Sequence, residues 1–118
     1  MSSTDSTPAL LSNLPPIPED EFCVFGRVYA HPAHADALEQ TYALTTHLAA
    51  SEPGIIHYCI ARDEEDPTMF HFFERFTGRE AFEAHNKQPV IVKLLTVDLY
   101  IDRVEAKFVR AVKPRGRA

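Results

Sequence analysis

Two runs of alternating side chains, separated by a short acidic link, most constrain how this chain can fold. Residues 55–62 and residues 68–76 each place apolar or aromatic side chains on both faces that a strand presents. The link between them, Asp63–Pro67, is acidic, ends in proline and can turn the chain. Strands that flank such a link pair with each other, so the sequence predicts an antiparallel hairpin.

The centre of the turn sets the register of this hairpin. The facing pairs predicted by a turn symmetric about Glu65 are Tyr58 with Phe72, Ile56 with Glu74, and Cys59 with His71. Because side chains alternate along a strand, Tyr58 and Glu74 are predicted to share one face of the sheet.

Periodicity before the hairpin predicts a strand and a long helix, and alternation near the end of the chain predicts a last strand. The strands are predicted at residues 21–30 and 103–112. Apolar side chains at spacings of three and four predict a helix over residues 33–51, which Pro53-Gly54 ends.

Two short helical segments follow the hairpin. They are predicted at residues 79–87 and 90–97, whereas residues 98–102 fit either a loop or a strand. The resulting order is β-α-β-β-α-β. It predicts an α+β fold, the ferredoxin-like four-stranded antiparallel sheet with helices on one face.

The predicted sheet has one face that its helices do not cover. The first three strands nevertheless carry large apolar residues on both faces. An apolar face of that size exceeds what a soluble monomer normally exposes, and a second copy of the chain is its simplest cover. We therefore expect a homodimer that packs through the face bearing His57, His71 and Phe73.

Length and composition indicate one domain of 118 residues. We expect a flexible N-terminal arm over residues 1–20, which hold four prolines and little periodicity, a domain over residues 21–113 and a basic tail over residues 114–118.

A net charge of -5, with basic residues clustered only in that tail, argues against a nucleic-acid partner. The N-terminal stretch has neither a signal peptide pattern nor a membrane span, so we expect a soluble, cytoplasmic protein without a membrane partner. Cys23 and Cys59 are expected to be reduced.

Glu74 and His85 are the leading candidates for chemistry. Glu74 interrupts an otherwise aromatic face, where an unpaired carboxylate is costly, so we expect it to pair with His85 on the following helix. The pair is either a structural hydrogen bond or a catalytic unit in which His85 is the general base and Glu74 orients it. Tyr58 is either a buried tyrosine satisfied by its surroundings or a donor to a developing oxyanion.

A small pocket for a hydrophobic small-molecule substrate is expected beside this pair. The predicted substrate-binding residues are Tyr42, Phe70, Phe72, Phe76 and Phe82. No cofactor is expected, since no phosphate-binding loop is present. On the opposite face, His57, Cys59 and His71 are residue types that bind zinc or copper, but strand alternation alone brings them together and no fourth ligand is evident. No metal is therefore expected.

Several short motifs resemble one known family. They are Glu52-Pro53-Gly54-Ile55-Ile56-His57-Tyr58, Asp66-Pro67, Phe72-Phe73-Glu74-Arg75-Phe76, and Glu80-Ala81-Phe82-Glu83-Ala84-His85 followed by Pro89. Over about residues 20–112 the chain is similar to the antibiotic biosynthesis monooxygenase (ABM) domain of the dimeric α/β-barrel superfamily. The order and spacing of these motifs are more specific for the superfamily than for any one reaction.

The resemblance implies a small cofactor-independent monooxygenase that acts on an aromatic or polyketide-type natural product in secondary metabolism. In such enzymes the phenolate or carbanion of the substrate itself reacts with dioxygen. The better-known oxygenases and haem-degrading relatives carry an Asn and a Trp on the third strand, where this chain has Phe72 and Phe76 and no Trp. Oxygenation, non-oxidative acid-base catalysis by an isomerase, dehydratase or cyclase, and binding without turnover all stay open.

Overall fold

Helices cover one face of a four-stranded antiparallel sheet in this computed structural model, which describes residues 8–115. The strands are β1 (Phe22–Ala30), β2 (Ile55–Arg62), β3 (Met69–Phe76) and β4 (Ile101–Val109). The helices are α1 (Ala35–Ala49), α2 (Arg79–Asn86) and α3 (Pro89–Thr96), and single 3-10 turns form at Ala9–Leu11 and Pro32–His34. The sheet order β2-β3-β1-β4 confirms the predicted ferredoxin-like fold.

The predicted hairpin forms, but its predicted register is wrong. Tyr58 pairs directly with Glu74, and Cys59 pairs with Phe73. The turn is centred one residue later than expected because the Asp63 carboxylate accepts hydrogen bonds from the backbone N–H groups of Glu65 and Asp66, at 3.0 and 2.8 Å. The shift moves each residue by two positions along its partner strand. It therefore leaves the side chains of residues 57–62 on their predicted faces, whereas a bulge between Ile55 and His57 places Ile55 beside Phe76 on the covered face, opposite to its prediction.

The covered face of the sheet packs into two hydrophobic clusters. The first cluster joins β1, α1, β3, α3 and β4 through Val28, Ala30, Ala35, Leu38, Tyr42, Phe70, Leu94 and Ile101. The second cluster joins β1, β3 and α2 through Phe22, Val24, Phe76 and Phe82. The aromatic rings of the second cluster meet mostly edge to face, as the ring quadrupoles favour.

The opposite face of the sheet is open in the single chain. Phe25 and Phe73 are 40% and 42% exposed on it, and Cys59 is an exposed free thiol. The free thiol of Cys23 is buried. The expected homodimer stays a prediction.

The N-terminal segment differs from the flexible arm that the sequence predicted. Leu10 packs against the first hydrophobic cluster, and Leu14 and Ile17 pack against the second. These three residues recur at spacings of four and three, a periodicity that the intervening prolines obscured. Residues 1–7 and the end of the predicted basic tail lie outside the described part of the chain.

The last strand also differs from its prediction. β4 begins at Ile101, so part of the ambiguous stretch before it is strand, and it ends at Val109. Leu99 has a φ of 59°, a left-handed conformation that turns the chain between α3 and β4. None of the helices within residues 8–115 is long and apolar enough to span a membrane.

Candidate functional site

A small cavity lies between the covered face of the sheet and the helices. Its volume is about 90 Å³. Most of its lining is aliphatic or aromatic, and its polar lining residues are Tyr42, Tyr58, Glu74, His85 and Asn86. An apolar cavity with a few convergent polar groups is the usual form of a small-molecule site.

Glu74 is the carboxyl group at the sheet side of the cavity. The alternation of β3 directs it towards the helices, between Val24 of β1 and Tyr58 of β2. It is buried, and no residue within 8–115 forms a hydrogen bond or an ion pair with its carboxylate. Burial, and to a smaller extent the negative charge of Glu52, together raise the pKa of Glu74 to about 8. The carboxyl group is therefore mostly protonated at neutral pH. It can donate or accept a proton at a pH close to neutral.

His85, on the helix side of the cavity, does not pair with Glu74 as the sequence predicted. Its Nδ1 lies 3.2 Å from both carboxylate oxygens of Glu52. His85 is 4% exposed. Because a carboxylate only accepts hydrogen bonds, Nδ1 is a nitrogen that carries a proton, and in the neutral form of the ring Nε2 is an acceptor.

The loop after α1 explains why Glu52 reaches His85. Gly54 lies so close to α2 that a Cβ at position 54 would be 2.3 Å from the Cβ of Ala81. Ala81 and His85 are four residues apart and lie on one face of α2. The glycine thus lets the loop approach this face and brings Glu52 to the imidazole.

Tyr58 is placed beside the two ionisable groups, but its hydroxyl already has a partner. The Tyr58 hydroxyl donates to Oγ1 of Thr45 at 2.9 Å, and Thr45 in turn donates to the backbone carbonyl of Tyr42 at 3.2 Å. Burial, and then the negative charge of Glu74, raise the pKa of Tyr58 above its usual range. The ring of Tyr58 meets the imidazole of His85 edge to face, with centroids 5.3 Å apart. Tyr58 therefore lines the cavity as a neutral residue whose hydroxyl donates a hydrogen bond.

The predicted substrate-binding residues divide into two groups. Tyr42, Phe72 and Phe82 line the cavity. Phe70 and Phe76 do not line it and are at most 1% exposed. Phe70 packs on Tyr42 and Phe76 packs within the second cluster, so neither ring reaches this cavity. The binding roles of all five residues stay predictions.

Two polar residues of the site were missed by sequence reasoning, Glu52 and Asn86. Glu52 did carry a signal, since a carboxylate just after the C-terminus of α1 faces the negative end of the helix dipole. An acidic residue there is explained by a partner elsewhere in the fold. Asn86, next to His85 on α2, carried no comparable signal.

The open face offers less support for a metal than the sequence pattern suggested. Cys59 faces Phe73 and not His71, and Nε2 of His71 lies 2.7 Å from Oδ1 of Asp63. The ring of His57 packs against Phe73. Across residues 8–115, no three His, Cys, Asp or Glu side chains form a group that could hold a metal ion.

The family of the chain is shown by its sequence. Residues 21–94 match the family model of the antibiotic biosynthesis monooxygenases. The chain belongs to the ABM family. The matched segment includes the Glu52 loop, Glu74 on β3 and His85 on α2. No curated protein matches the sequence.

Solved structures agree with this assignment at the level of the fold. A Pseudomonas aeruginosa protein superposes with a TM-score of 0.72 at 19% identity, over 80% of this chain and 96% of that one. A Nitrosomonas europaea protein classed among the antibiotic biosynthesis monooxygenases gives 0.69 at 16% identity, over 83% and 96%. One from Chloroflexus aurantiacus, classed in the same way, gives 0.65 at 24% identity, over 81% and 97%. At such identities the likeness shows the ABM fold alone.

Proposed function

We propose that this ABM protein is an enzyme that binds a small aromatic hydroxy compound in the cavity and transfers a proton through Glu74. One observation carries the proposal: Glu74 is a buried carboxyl group that lines an apolar cavity and has no partner within residues 8–115. A structural carboxylate would have a cation or hydrogen-bond donors to stabilise its charge. A carboxyl group whose pKa is near the working pH is instead suited to general acid-base catalysis.

The proton transfer uses the two sides of the cavity. The ionised form of Glu74 accepts a proton from a phenolic O–H or an acidic C–H of the substrate. His85, held through Nδ1 by Glu52, presents Nε2 as a second proton acceptor on the helix side. The apolar lining excludes water, which strengthens the interaction of both groups with the substrate anion.

The name of the family supports oxygenation as the step that follows. In this step the substrate carbanion reacts with dioxygen. A ring CH₂ becomes a carbonyl, one oxygen atom enters the product, and the other leaves as water with the two hydrogens. Oxidation of the CH₂ group supplies all four electrons that reduce the two oxygen atoms, so no reducing cofactor is needed.

A second candidate function uses the same residues without dioxygen. Because Glu74 is mostly protonated at neutral pH, it can act as a general acid as well as a base. An isomerase, a dehydratase or a cyclase protonates one atom of its substrate and deprotonates another. This raised pKa is the observation that favours the second candidate.

Anthrone, whose CH₂ group is acidic, is a probe that separates the candidates. Exchange of its CH₂ hydrogens in D₂O without oxygen measures proton transfer alone, and oxygen uptake in air measures oxygenation. Exchange with uptake supports the oxygenase, and exchange without uptake supports the non-oxidative enzyme. Binding without acceleration of either process would overturn the proposal in favour of a non-catalytic binding protein.

We also infer a homodimer through the open face of the sheet. The exposed rings of Phe25 and Phe73, together with Val109 at the sheet edge, support it. Association would bury these side chains as the hydrophobic effect favours. Sedimentation at micromolar concentration tests this inference, and a species of 13.3 kDa would contradict it.

A further inference from the structure

The cavity beside Glu74 is closed on one side by the N-terminal segment. The 3-10 turn Ala9–Leu11 lies against α3 and β4. Leu11 and Leu14 of this segment line the cavity together with residues of the sheet and the helices. The segment is therefore part of the wall of the candidate active site.

A larger groove lies on the outer side of the same segment. It has a volume of about 940 Å³ and runs between residues 8–17 and the helices α2 and α3. Four side chains line both the groove and the cavity: Leu11, Leu14, Phe82 and Asn86. These four side chains form a partition between a surface groove and a buried cavity.

The volumes on the two sides of the partition differ about tenfold. An engineered apolar cavity that accepts benzene has a volume of about 150 Å³. The cavity of about 90 Å³ beside Glu74 is smaller than that. An aromatic substrate therefore requires part of the cavity wall to move, and the partition is the part of that wall that the groove shares.

Residues 17–19 form the end of the N-terminal segment that joins the domain, which we call its root. Polar contacts fix the position of this root. The guanidinium of Arg79 donates to the backbone carbonyl of Ile17 at 2.7 and 3.2 Å, and the backbone N–H of Arg79 donates to that of Glu19 at 3.1 Å. A Cβ on residue 78 would lie 2.6 Å from the Glu19 carbonyl oxygen, so Gly78 permits this close approach. The root holds its position on α2.

Residues 8–16, which we call the tip of the segment, are held by apolar contacts instead of polar ones. The hydrogen bonds that the structure describes within residues 8–16 are internal, such as those from the N–H of Leu11 to the carbonyl of Pro8 and from the N–H of Leu14 to that of Leu11. Its described contacts with the body are apolar. Apolar contacts are non-directional, so the tip can shift without leaving a buried polar group unsatisfied.

We propose that Leu11 and Leu14 form a gate through which a hydroxyarene substrate passes from the surface groove to Glu74, and that this gate limits the size of the substrate. The root at Ile17 and Glu19 is the fixed end of the gate, and the apolar tip is its moving part. The gate rests on the proposed function, because it presumes that the cavity receives an aromatic ligand.

Association of 1-naphthol, followed by its own fluorescence in stopped-flow mixing, tests the gate. In the L11A/L14A double variant we expect the association rate constant to rise about tenfold, because opening no longer limits entry. Val92→Ala is the matched control, because Val92 is an apolar residue that lines the groove and not the cavity. It is expected to keep the association rate constant of the unaltered protein.

Leu14→Phe tests the gate in the opposite direction and does not depend on whether the double variant folds. A larger side chain in the partition is expected to slow association about tenfold. Equal association rate constants in the unaltered protein and in Leu14→Phe, with 1-naphthol still bound, would overturn the gate and leave the proposed function standing. Absence of 1-naphthol binding in every variant would instead overturn the proposed function, and the gate with it.

Discussion

The two faces of the sheet shift the pKa values of their carboxyl groups in opposite directions. On the covered face, Glu74 has no partner within the described residues, and burial raises its pKa to about 8. At the edge of the open face, Asp63 receives hydrogen bonds from His71 and from backbone N–H groups, and these lower its pKa. The carboxyl group on strand β3 thus resists ionisation, whereas the one in the hairpin turn favours it.

This difference separates structural from functional charges. Some ionisable side chains around the open face are paired, as Tyr29 is with Glu105 and Arg75 with Glu21. Glu74, in contrast, is a carboxyl group whose charge has no partner within the described residues, and it lines the cavity. Perturbed carboxyl groups in cavities are candidates for catalysis for this reason.

The largest expected effect is on stability as a function of pH. The pKa of Glu74 is raised in the folded protein from an ordinary value of 4.5, so the folded state binds more protons than the unfolded state between those two values. The free energy of unfolding should therefore fall as pH rises from about 4.5 to about 8, by up to about 5 kcal/mol from this group.

Glu74→Gln should remove this fall in the free energy of unfolding. The variant should therefore become more stable relative to the unaltered protein as pH rises. Urea unfolding at a series of pH values measures the difference. Glu64→Gln, in the exposed turn, is the matched control and should follow the unaltered protein. A constant difference between Glu74→Gln and the unaltered protein across the pH range would show that Glu74 titrates normally.

The second-largest difference between the two faces is expected in catalytic activity. Glu74→Gln is expected to lower the rate of anthrone CH₂ exchange by about a hundredfold or more, the usual cost of losing a general acid-base group. The glutamine keeps the size of the side chain and cannot exchange the proton in the same way. Full exchange activity in a folded Glu74→Gln protein would move the search to His85.

The Glu52 contact should have a smaller effect than the groups that transfer the proton. We expect His85→Ala to lower exchange about a hundredfold and Glu52→Gln about tenfold, since Glu52 only orients the imidazole. A shift in the pH profile of Glu52→Gln, together with a changed His85 tautomer in nitrogen NMR spectra, would identify a positioning role. Loss of activity with neither change would instead indicate that Glu52 only supports the loop.

The smallest effect is expected at the paired carboxylate of the open face. Asp63→Asn removes a pair whose histidine side chain is 42% exposed, and exposed pairs contribute little to stability. It should leave anthrone exchange unchanged. Thermal unfolding and the exchange assay check both expectations, and a loss of exchange as large as that of Glu74→Gln would remove the contrast between the two faces.

The fold and the face of most strand residues were predictable from the sequence, although the bulge that turns Ile55 onto the covered face was not. Alternation placed Tyr58 and Glu74 on one side of the sheet, and a two-residue error in register did not alter this. The register itself was not predictable from periodicity. It depends on the Asp63 carboxylate, which caps particular N–H groups of the turn.

The partners within the site were harder to predict than its members. Glu74, His85 and Tyr58 were all identified, but the partner of His85 comes from a loop that only Gly54 allows to approach α2. The packed N-terminal segment was missed because prolines interrupt the spacing of Leu10, Leu14 and Ile17. Contacts between distant segments do not leave a periodic signal in either segment.

The pKa of Glu74 itself tests the central claim most directly. The side-chain carboxyl carbon of Glu74, assigned in carbon-13 NMR spectra by its loss in Glu74→Gln, can be followed from pH 4 to pH 10. The account predicts a midpoint at about 8. A midpoint near 4.5, the ordinary value for a glutamate, would show that the carboxylate is stabilised in the fold and would contradict its role as the acid-base group of the cavity.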